Sequence, residues 1–299
     1  MTRVSLAAVA AFSALLATPL SAQVGMRAST ATDQVAGDNN AEIVVQGQRK
    51  SIMRQLRALI ARSAGDQLAR FEDKLCPMVI GMPRDWTATM TRMIRSNIEA
   101  VGAKLEPLGC RPNGLVIFID QPAELVEAFR KEEPWLLNMP PRTARNFVAS
   151  VGSITSWHVT DTRGAKGEML GNMEGTDGKV TRGISSSRLY TPARQEMTLG
   201  MVVVEKGKTV GLTLRQLADL ATMHLLLEVR SSAGAKDPGS ILSLFEPRPA
   251  NYVVPQRMSR MDRGAMAGFY AQRENNLTAA QQRSNIASAI ERGVGEAEQ

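Results

Sequence analysis

Aromatic and histidine residues are scarce in this chain. Only 4% of its 299 residues are Phe, Trp or Tyr, and only 2 are histidine. Proteins that hold single-stranded nucleic acid stack its bases on aromatic side chains, and no basic stretch here is interleaved with aromatic residues. The sequence therefore argues against a nucleic-acid partner, although the formal net charge is +7. The simplest interpretation of that charge is a basic surface that keeps the protein soluble.

Long apolar runs are also lacking, apart from one at the N-terminus. Residues 1–22 combine Arg3, an apolar stretch from Val4 to about Leu20 and the small residue Ala22, a pattern typical of a secretory signal peptide. We expect a periplasmic or secreted mature protein, and a retained signal anchor is the alternative. No later window approaches the roughly 20 apolar residues that a membrane span needs, so no transmembrane segment is predicted.

Cysteine occurs only twice, as Cys76 and Cys110. These residues are too far apart for the CxxC spacing of a zinc or redox motif. In an oxidising compartment an even pair of cysteines usually forms a bridge. The sequence predicts a Cys76–Cys110 disulfide, with two free buried thiols as the alternative.

The region before the folded domain falls into two parts. Residues 23–48 are predicted to form a disordered tail, because residues 23–40 are small, polar and without period. At the end of this tail, EIVVQGQRK (42–50) resembles, through Glu42 to Val45, the short segment that opens TonB-dependent outer-membrane receptors. Those receptors are β-barrels, and the alternating ten-residue strands of a barrel do not follow here. We therefore favour a β-prone stretch of the tail.

Residues 49–70 contain a predicted amphipathic helix, over KSIMRQLRALIARSA (50–64). Its apolar residues lie on one stripe and its basic residues on the opposite face. The stripe consists of Ile52, Leu56, Leu59 and Ile60, and the basic face of Lys50, Arg54 and Arg57. We expect the stripe to dock on the protein, and weak contact with an anionic membrane surface is the alternative.

Residues 71–292 carry the pattern of one globular domain, with a frayed terminus at 293–299. CPMVIG (76–81), a helix over 85–101 capped by Asp85, and GLVIFID (114–120) form a strand–helix–strand unit. Its length suits a crossover between parallel strands, which would bring the two cysteines together. The fold class predicted is α/β or α+β, a mixed β-sheet covered by helices and tied by one disulfide.

The second half of the domain predicts further strands and helices. Short strands with an Asp177-Gly178 turn are expected over 150–195, then a strong strand, EMTLGMVVVEKGK. Capping boxes mark two helix starts. The boxes are Thr213 with Gln216, for a helix to about Val229, and Ser259 with Asp262; a last helix is expected from about Thr278 to Arg292.

Three residues are the candidates that the sequence offers for chemistry: His158, His224 and Glu228. A zinc helix needs histidines at i and i+4 with a glutamate after the first, and His224 fits neither position. Glu228 is four residues beyond His224, which is the spacing of a simple helix-surface contact. His158 is three residues from Asp161, so strand alternation places the two on opposite faces.

Familiar catalytic and phosphate-binding motifs are missing. GISSS (183–187) lacks the closing glycine of a G-x-S-x-G elbow, and the sequence contains no Walker loop and no G-x-G-x-x-G. A triad assembled from distant residues is left open. The sequence thus predicts no catalytic, cofactor-binding or metal-binding residue.

The stretches Asp237–Phe245 and Met261–Tyr270 resemble those of uncharacterised exported bacterial proteins. The order of elements distantly resembles the N-terminal half of zincin-type (metzincin-like) metalloproteases. On the zincin helix motif, Asp219, Met223 and Val229 occupy the ligand positions, and Leu220 the position of the base. The resemblance implies a zincin-like scaffold without its metal ligands.

These observations favour a non-catalytic function. We expect an exported protein that binds a protein or envelope partner, or acts as an envelope-associated scaffold, without a cofactor. The alternative is a hydrolase, a peptidase or esterase, whose active site the sequence does not reveal.

Overall fold

The computed structural model describes residues 47–63, 66–172, 179–180, 191–247, 252–273 and 275–296. Contacts divide the chain into two units, Met1–Gln48 and Arg49–Gln299, and nearly all described residues belong to the second. The predicted signal peptide, Glu42 to Val45 of the TonB-like segment, the Asp177-Gly178 turn and GISSS lie outside the described residues, whereas residues 47–50 at the end of that segment are helical.

The fold is α+β, built on one mixed four-stranded sheet. The strand order is β1-β2-β6-β3, in which the first three strands are parallel and β3 runs antiparallel along β6. The four strands are β1 (Pro77–Ile80), β2 (Gly114–Ile119), β3 (Ile154–Gly164) and β6 (Ala193–Glu205). A separate two-stranded hairpin consists of β4 (Gly171–Asn172) and β5 (Lys179–Val180).

Helices account for most of the remaining described residues. They are α1 (47–59), α2 (Arg84–Ala100), α3 (Pro122–Glu132), α4 (Pro141–Ala149), α5 (Leu214–Leu226), α6 (Ala233–Lys236), α7 (Arg260–Tyr270) and α8 (Ala279–Glu296). Among these helices none is long and apolar enough to cross a membrane.

The predicted crossover and disulfide are both confirmed. β1 and β2 are parallel neighbours, paired from Pro77 with Gly114, and α2 connects them. Cys76 and Cys110 precede the two strands, and their Cα atoms lie 6.0 Å apart in a disulfide, a separation typical of such bonds. The bridge ties together the starts of two adjacent strands.

Alternate residues of the central strands enter two separate cores. On β2, Val116 and Phe118 face the larger core, whereas Ile117 faces the smaller one. The larger core is formed with α1, α2, α5, α7 and α8, and the smaller with α3 and α4. The sheet is therefore covered on both faces, which explains the continuous apolar run of β2.

The amphipathic helix docks as expected. Ile52, Leu56 and Ile60 are buried in the larger core, while Lys50, Arg54 and Arg57 are exposed. The apolar stripe thus supplies packing, and the basic face remains in solvent.

A buried side-chain amide connects the two ends of the folded unit. Gln282, on α8, is fully buried; its Oε1 accepts from the amide of Leu68 at 2.7 Å, and its Nε2 donates to the Leu68 carbonyl at 3.1 Å. The side chain satisfies both backbone groups of Leu68, as a neighbouring strand would. The Gln282 Nε2 also donates to Asn275 Oδ1 at 2.8 Å.

Several predicted boundaries were wrong. Pro83, not Asp85, is the N-cap of α2, because Pro83 has the extended backbone that an N-cap needs. No side chain caps the helix there. The first of the strands expected over 150–195 is long, since β3 pairs with β6 over 11 residues; the segments 173–178 and 181–190 lie outside the described residues. The last helix continues past Gly293 to Glu296. The capping boxes of α5 and α7 are confirmed.

Candidate functional site

The candidate site lies where edge strand β3 passes the C-terminal end of α5. β3 pairs with β6 on one side, with His158 opposite Gly200. Because side chains alternate along a strand, Ser156 and His158 project to the α5 side, and Trp157 enters the core on the other face. The long antiparallel pairing therefore decides which side chains of β3 meet α5.

Ser156 and His224 form a hydrogen-bonded pair. The Ser156 Oγ lies 2.8 Å from the His224 Nδ1, although 68 residues separate them in sequence. His224 is on the last turns of α5 and is only 9% exposed. The pair joins a hydroxyl on the sheet to an imidazole on the helix above it.

His158 is held by the backbone of the same helix. Its Nε2 donates to the carbonyl oxygen of Leu225 at 2.9 Å, which fixes the imidazole proton on Nε2 because a carbonyl can only accept. The ring packs edge-on against Phe71, with centroids 6.3 Å apart. A side chain at Gly200 would press on Leu225, Phe71 and the His158 ring, so a glycine there leaves room for the imidazole.

Glu228 does not make the predicted helix contact with His224. The helix ends at Leu226, and Leu227 has an extended backbone (φ −129°, ψ 143°) that carries Glu228 off the helix face. Its carboxylate instead accepts a hydrogen bond from the Ser63 hydroxyl. The expected pairing fails because the helix stops before the second residue of the pair.

These groups surround a cleft of about 380 Å³. The lining comes from the segment after α1, the loop before α4, strand β3 and the segment after α5. The lining residues are Ala61, Arg62, Ser63, Leu137, Asn138, Met139, Ser156, Trp157, His158, Thr160, Glu228 and Val229. We refer to this space as the β3 cleft. Two of the three sequence candidates line it, and the third, His224, bonds the lining residue Ser156.

Burial controls the charge of the site. It lowers the pKa of His158 to about 4, although the bond to Leu225 opposes the shift. Burial, with a smaller contribution from nearby His158, lowers the pKa of His224 to about 3. Burial raises the pKa of the Glu228 carboxyl, which the Ser63 bond partly offsets. At neutral pH both imidazoles are therefore uncharged.

Other sequence candidates lie apart from the cleft chemistry. Asp161 pairs with Arg163 at 3.0 Å, consistent with the prediction that it faces away from His158. Asp219 is buried, accepting from Asn97 Nδ2 at 2.9 Å and from the Met258 amide at 3.0 Å. Over the residues that the structure describes, no group of three or more His, Cys, Asp or Glu side chains is placed to hold a metal ion.

Sequence reasoning missed Ser63 and Ser156. The signal for Ser156 was the alternation S-x-H along SITSWHVTD, which places Ser156 and His158 on one face of a strand. For Ser63 no local signal exists, because its partner Glu228 is 165 residues away.

Comparison with known proteins identifies no relative of this chain. No family model, no curated protein and no solved structure matches this chain, so the zincin-like resemblance stays a prediction.

Proposed function

We propose that this chain is an exported, non-catalytic binding protein whose ligand site is the β3 cleft. The observation that supports this most directly is the state of the Ser156–His224 pair. A histidine with a pKa lowered to about 3 is a poor general base, since proton transfer is most efficient when the pKa of the base is near the working pH.

The geometry of the pair supports the same conclusion. In catalytic serine sites a carboxylate orients the histidine and stabilises its charged form. Within the described part of the chain, His224 has no hydrogen bond or ion pair with a carboxylate. Its ionisable neighbour is His158, whose ring would repel a protonated His224. The arrangement opposes the imidazolium that serine activation must form.

The cleft has features suited to binding. Hydroxyl, amide and imidazole groups of Ser63, Ser156, His158 and Asn138 line it beside apolar Leu137 and Met139. Polar groups of this kind orient a ligand through hydrogen bonds, while the apolar residues supply contact area. The Cys76–Cys110 disulfide is consistent with a periplasmic or secreted protein.

A hydrolase is the second candidate, and one observation favours it: a serine that lines a cleft is bonded to a histidine at 2.8 Å. Labelling with a fluorophosphonate probe and a broad esterase and peptidase screen distinguish the two functions. We expect no labelling and no turnover. Labelling of the native protein that Ser156→Ala abolishes would establish the hydrolase and contradict the binding proposal.

Ligand screening by thermal shift tests the binding function itself. Thr160 lines the cleft, so Thr160→Phe should fill part of it and abolish the stabilisation that a cleft ligand gives. Thr198→Phe, at an exposed position on the neighbouring strand, is the matched control and should retain it. Ligands that stabilise both variants equally would show that the β3 cleft is not the site.

A further inference from the structure

The end of α1 pairs with the segment that follows α5. Ile60 and Val229 form an antiparallel bridge, and the amide of Arg230 donates to the Leu59 carbonyl at 2.9 Å. Arg283, on α8, reaches the same place, where its Nη2 donates to the Ile60 carbonyl at 3.0 Å. Three separate parts of the chain thus meet at this corner of the molecule.

Four arginines gather at that corner, and we refer to Arg57, Arg62, Arg230 and Arg283 as the arginine cluster. Arg283 is only 6% exposed, whereas the other three are exposed to solvent. Burial and, after it, the charges of the other three arginines lower the pKa of Arg283. The backbone contacts at this corner bring Arg230 beside the end of α1 and Arg283 onto the Ile60 carbonyl, and the charges of the other three arginines act on Arg283.

The described residues neutralise this charge only in part. Asp66 is the carboxylate whose charge acts favourably on Arg283, and it is already paired with Arg62 at 2.9 Å. In the described ranges Arg283 forms no ion pair, and its buried Nε has no hydrogen-bond partner. A buried charge without an ion-pair partner is unfavourable, so an anion bound beside Arg283 would relieve a cost that the fold carries.

We propose that the arginine cluster binds a phosphate group, either free or carried by a lipid headgroup. Guanidinium groups match phosphate through paired, charge-assisted hydrogen bonds. The exposed Arg57, Arg62 and Arg230 supply the contacts, and the buried Arg283 adds positive charge in a less polar environment, which strengthens attraction. The site shares only Arg62 with the β3 cleft, so it stands independently of the proposed function.

Titration calorimetry at low, constant ionic strength tests this proposal with inorganic phosphate and pyrophosphate. Co-sedimentation with vesicles of phosphatidylcholine, with and without phosphatidylglycerol, tests the lipid source. The variant is Arg57→Gln/Arg230→Gln, because both residues are exposed and neither lines the β3 cleft. Loss of two charged contacts should weaken binding about tenfold or more.

The control is Arg142→Gln/Arg145→Gln on α4, which removes the same charge from exposed positions on a helix that packs on the other face of the sheet. Binding of soluble phosphate that only the cluster variant weakens supports a free phosphate ligand. Vesicle binding with the same pattern, without affinity for soluble phosphate, supports a lipid headgroup. Absence of both, or equal losses in the two variants, overturns the proposal.

Discussion

His158 and His224 are ionisable residues held away from water, each with one polar partner. His158 bonds the Leu225 carbonyl, and His224 bonds the Ser156 hydroxyl. The bond to Leu225 favours the charged form of His158, but burial disfavours the charged form of both rings and outweighs it. The two residues therefore link the packing at the β3 cleft to the pH of the surroundings.

Acid should destabilise the fold through these two residues. The pKa values of His158 and His224 fall to about 4 and about 3 in the folded state, against about 6.5 when unfolded. The unfolded chain binds more protons below pH 6.5, so stability is complete above that pH and decreases as the pH falls. At pH 5 the two residues together should cost about 4 kcal/mol.

Urea unfolding at pH 7 and pH 5 measures this effect against His158→Gln/His224→Asn. Glutamine and asparagine place a hydrogen-bonding atom where Nε2 and Nδ1 lie, but neither titrates. The variant should lose less stability than the native protein between the two pH values. The comparison also cancels the opposite effect of buried Glu228 and Asp262, whose pKa values are raised by burial. Equal losses in both proteins would mean that the folded histidines accept protons freely.

At the scale of elements, α5 matters for both the core and the candidate site, because it packs in the larger core along its length and holds His224 near its end. Its start is fixed by a reciprocal pair of bonds. Thr213 Oγ1 accepts from the Gln216 amide at 3.2 Å, and Gln216 Oε1 accepts from the Thr213 amide at 2.9 Å. Such a capping box satisfies two amides that a helix start otherwise leaves unpaired.

Removal of this cap should destabilise the protein measurably. Thr213→Ala should lower the free energy of unfolding by about 1 kcal/mol, the usual cost of losing a helix cap. Thr213→Ser keeps the hydroxyl and is the matched control. Chemical denaturation of the three proteins at pH 7 provides the measurement, and a loss of equal size in the serine variant would assign the effect to the methyl group instead.

Helices and strands with a clear pattern of neighbouring residues were predicted from the sequence, and those without such a pattern were missed. The two capping boxes and the β-branched run of β2 are properties of neighbouring residues, and all three predictions are confirmed. α4 was missed because its 9 residues contain one buried residue, Ala144, and begin at the second of two consecutive prolines, a pattern typical of a loop. The site was less predictable, since Ser156 meets His224 only through the pairing of β3 on β6.

At the scale of the whole molecule, the Cys76–Cys110 bridge limits the freedom of the unfolded chain. It closes a loop across 34 residues, which in the chain-entropy model stabilises the fold by about 3–4 kcal/mol. Cys76→Ser/Cys110→Ser should lose stability of that order in urea unfolding. Thiol titration of the native protein, denatured without reductant, should detect no free thiol, and two reactive thiols would refute the bridge in the isolated protein.

The contact between Gln282 and Leu68 has a consequence for biosynthesis. Both backbone groups of Leu68 form their hydrogen bonds with a side chain that is synthesised 214 residues later. The larger core also includes Ile286 and Ile290 from α8. A ribosome must therefore release the chain through α8 before the domain can close, so the nascent domain stays open, and exposed to chaperones or proteases, until that helix has been made.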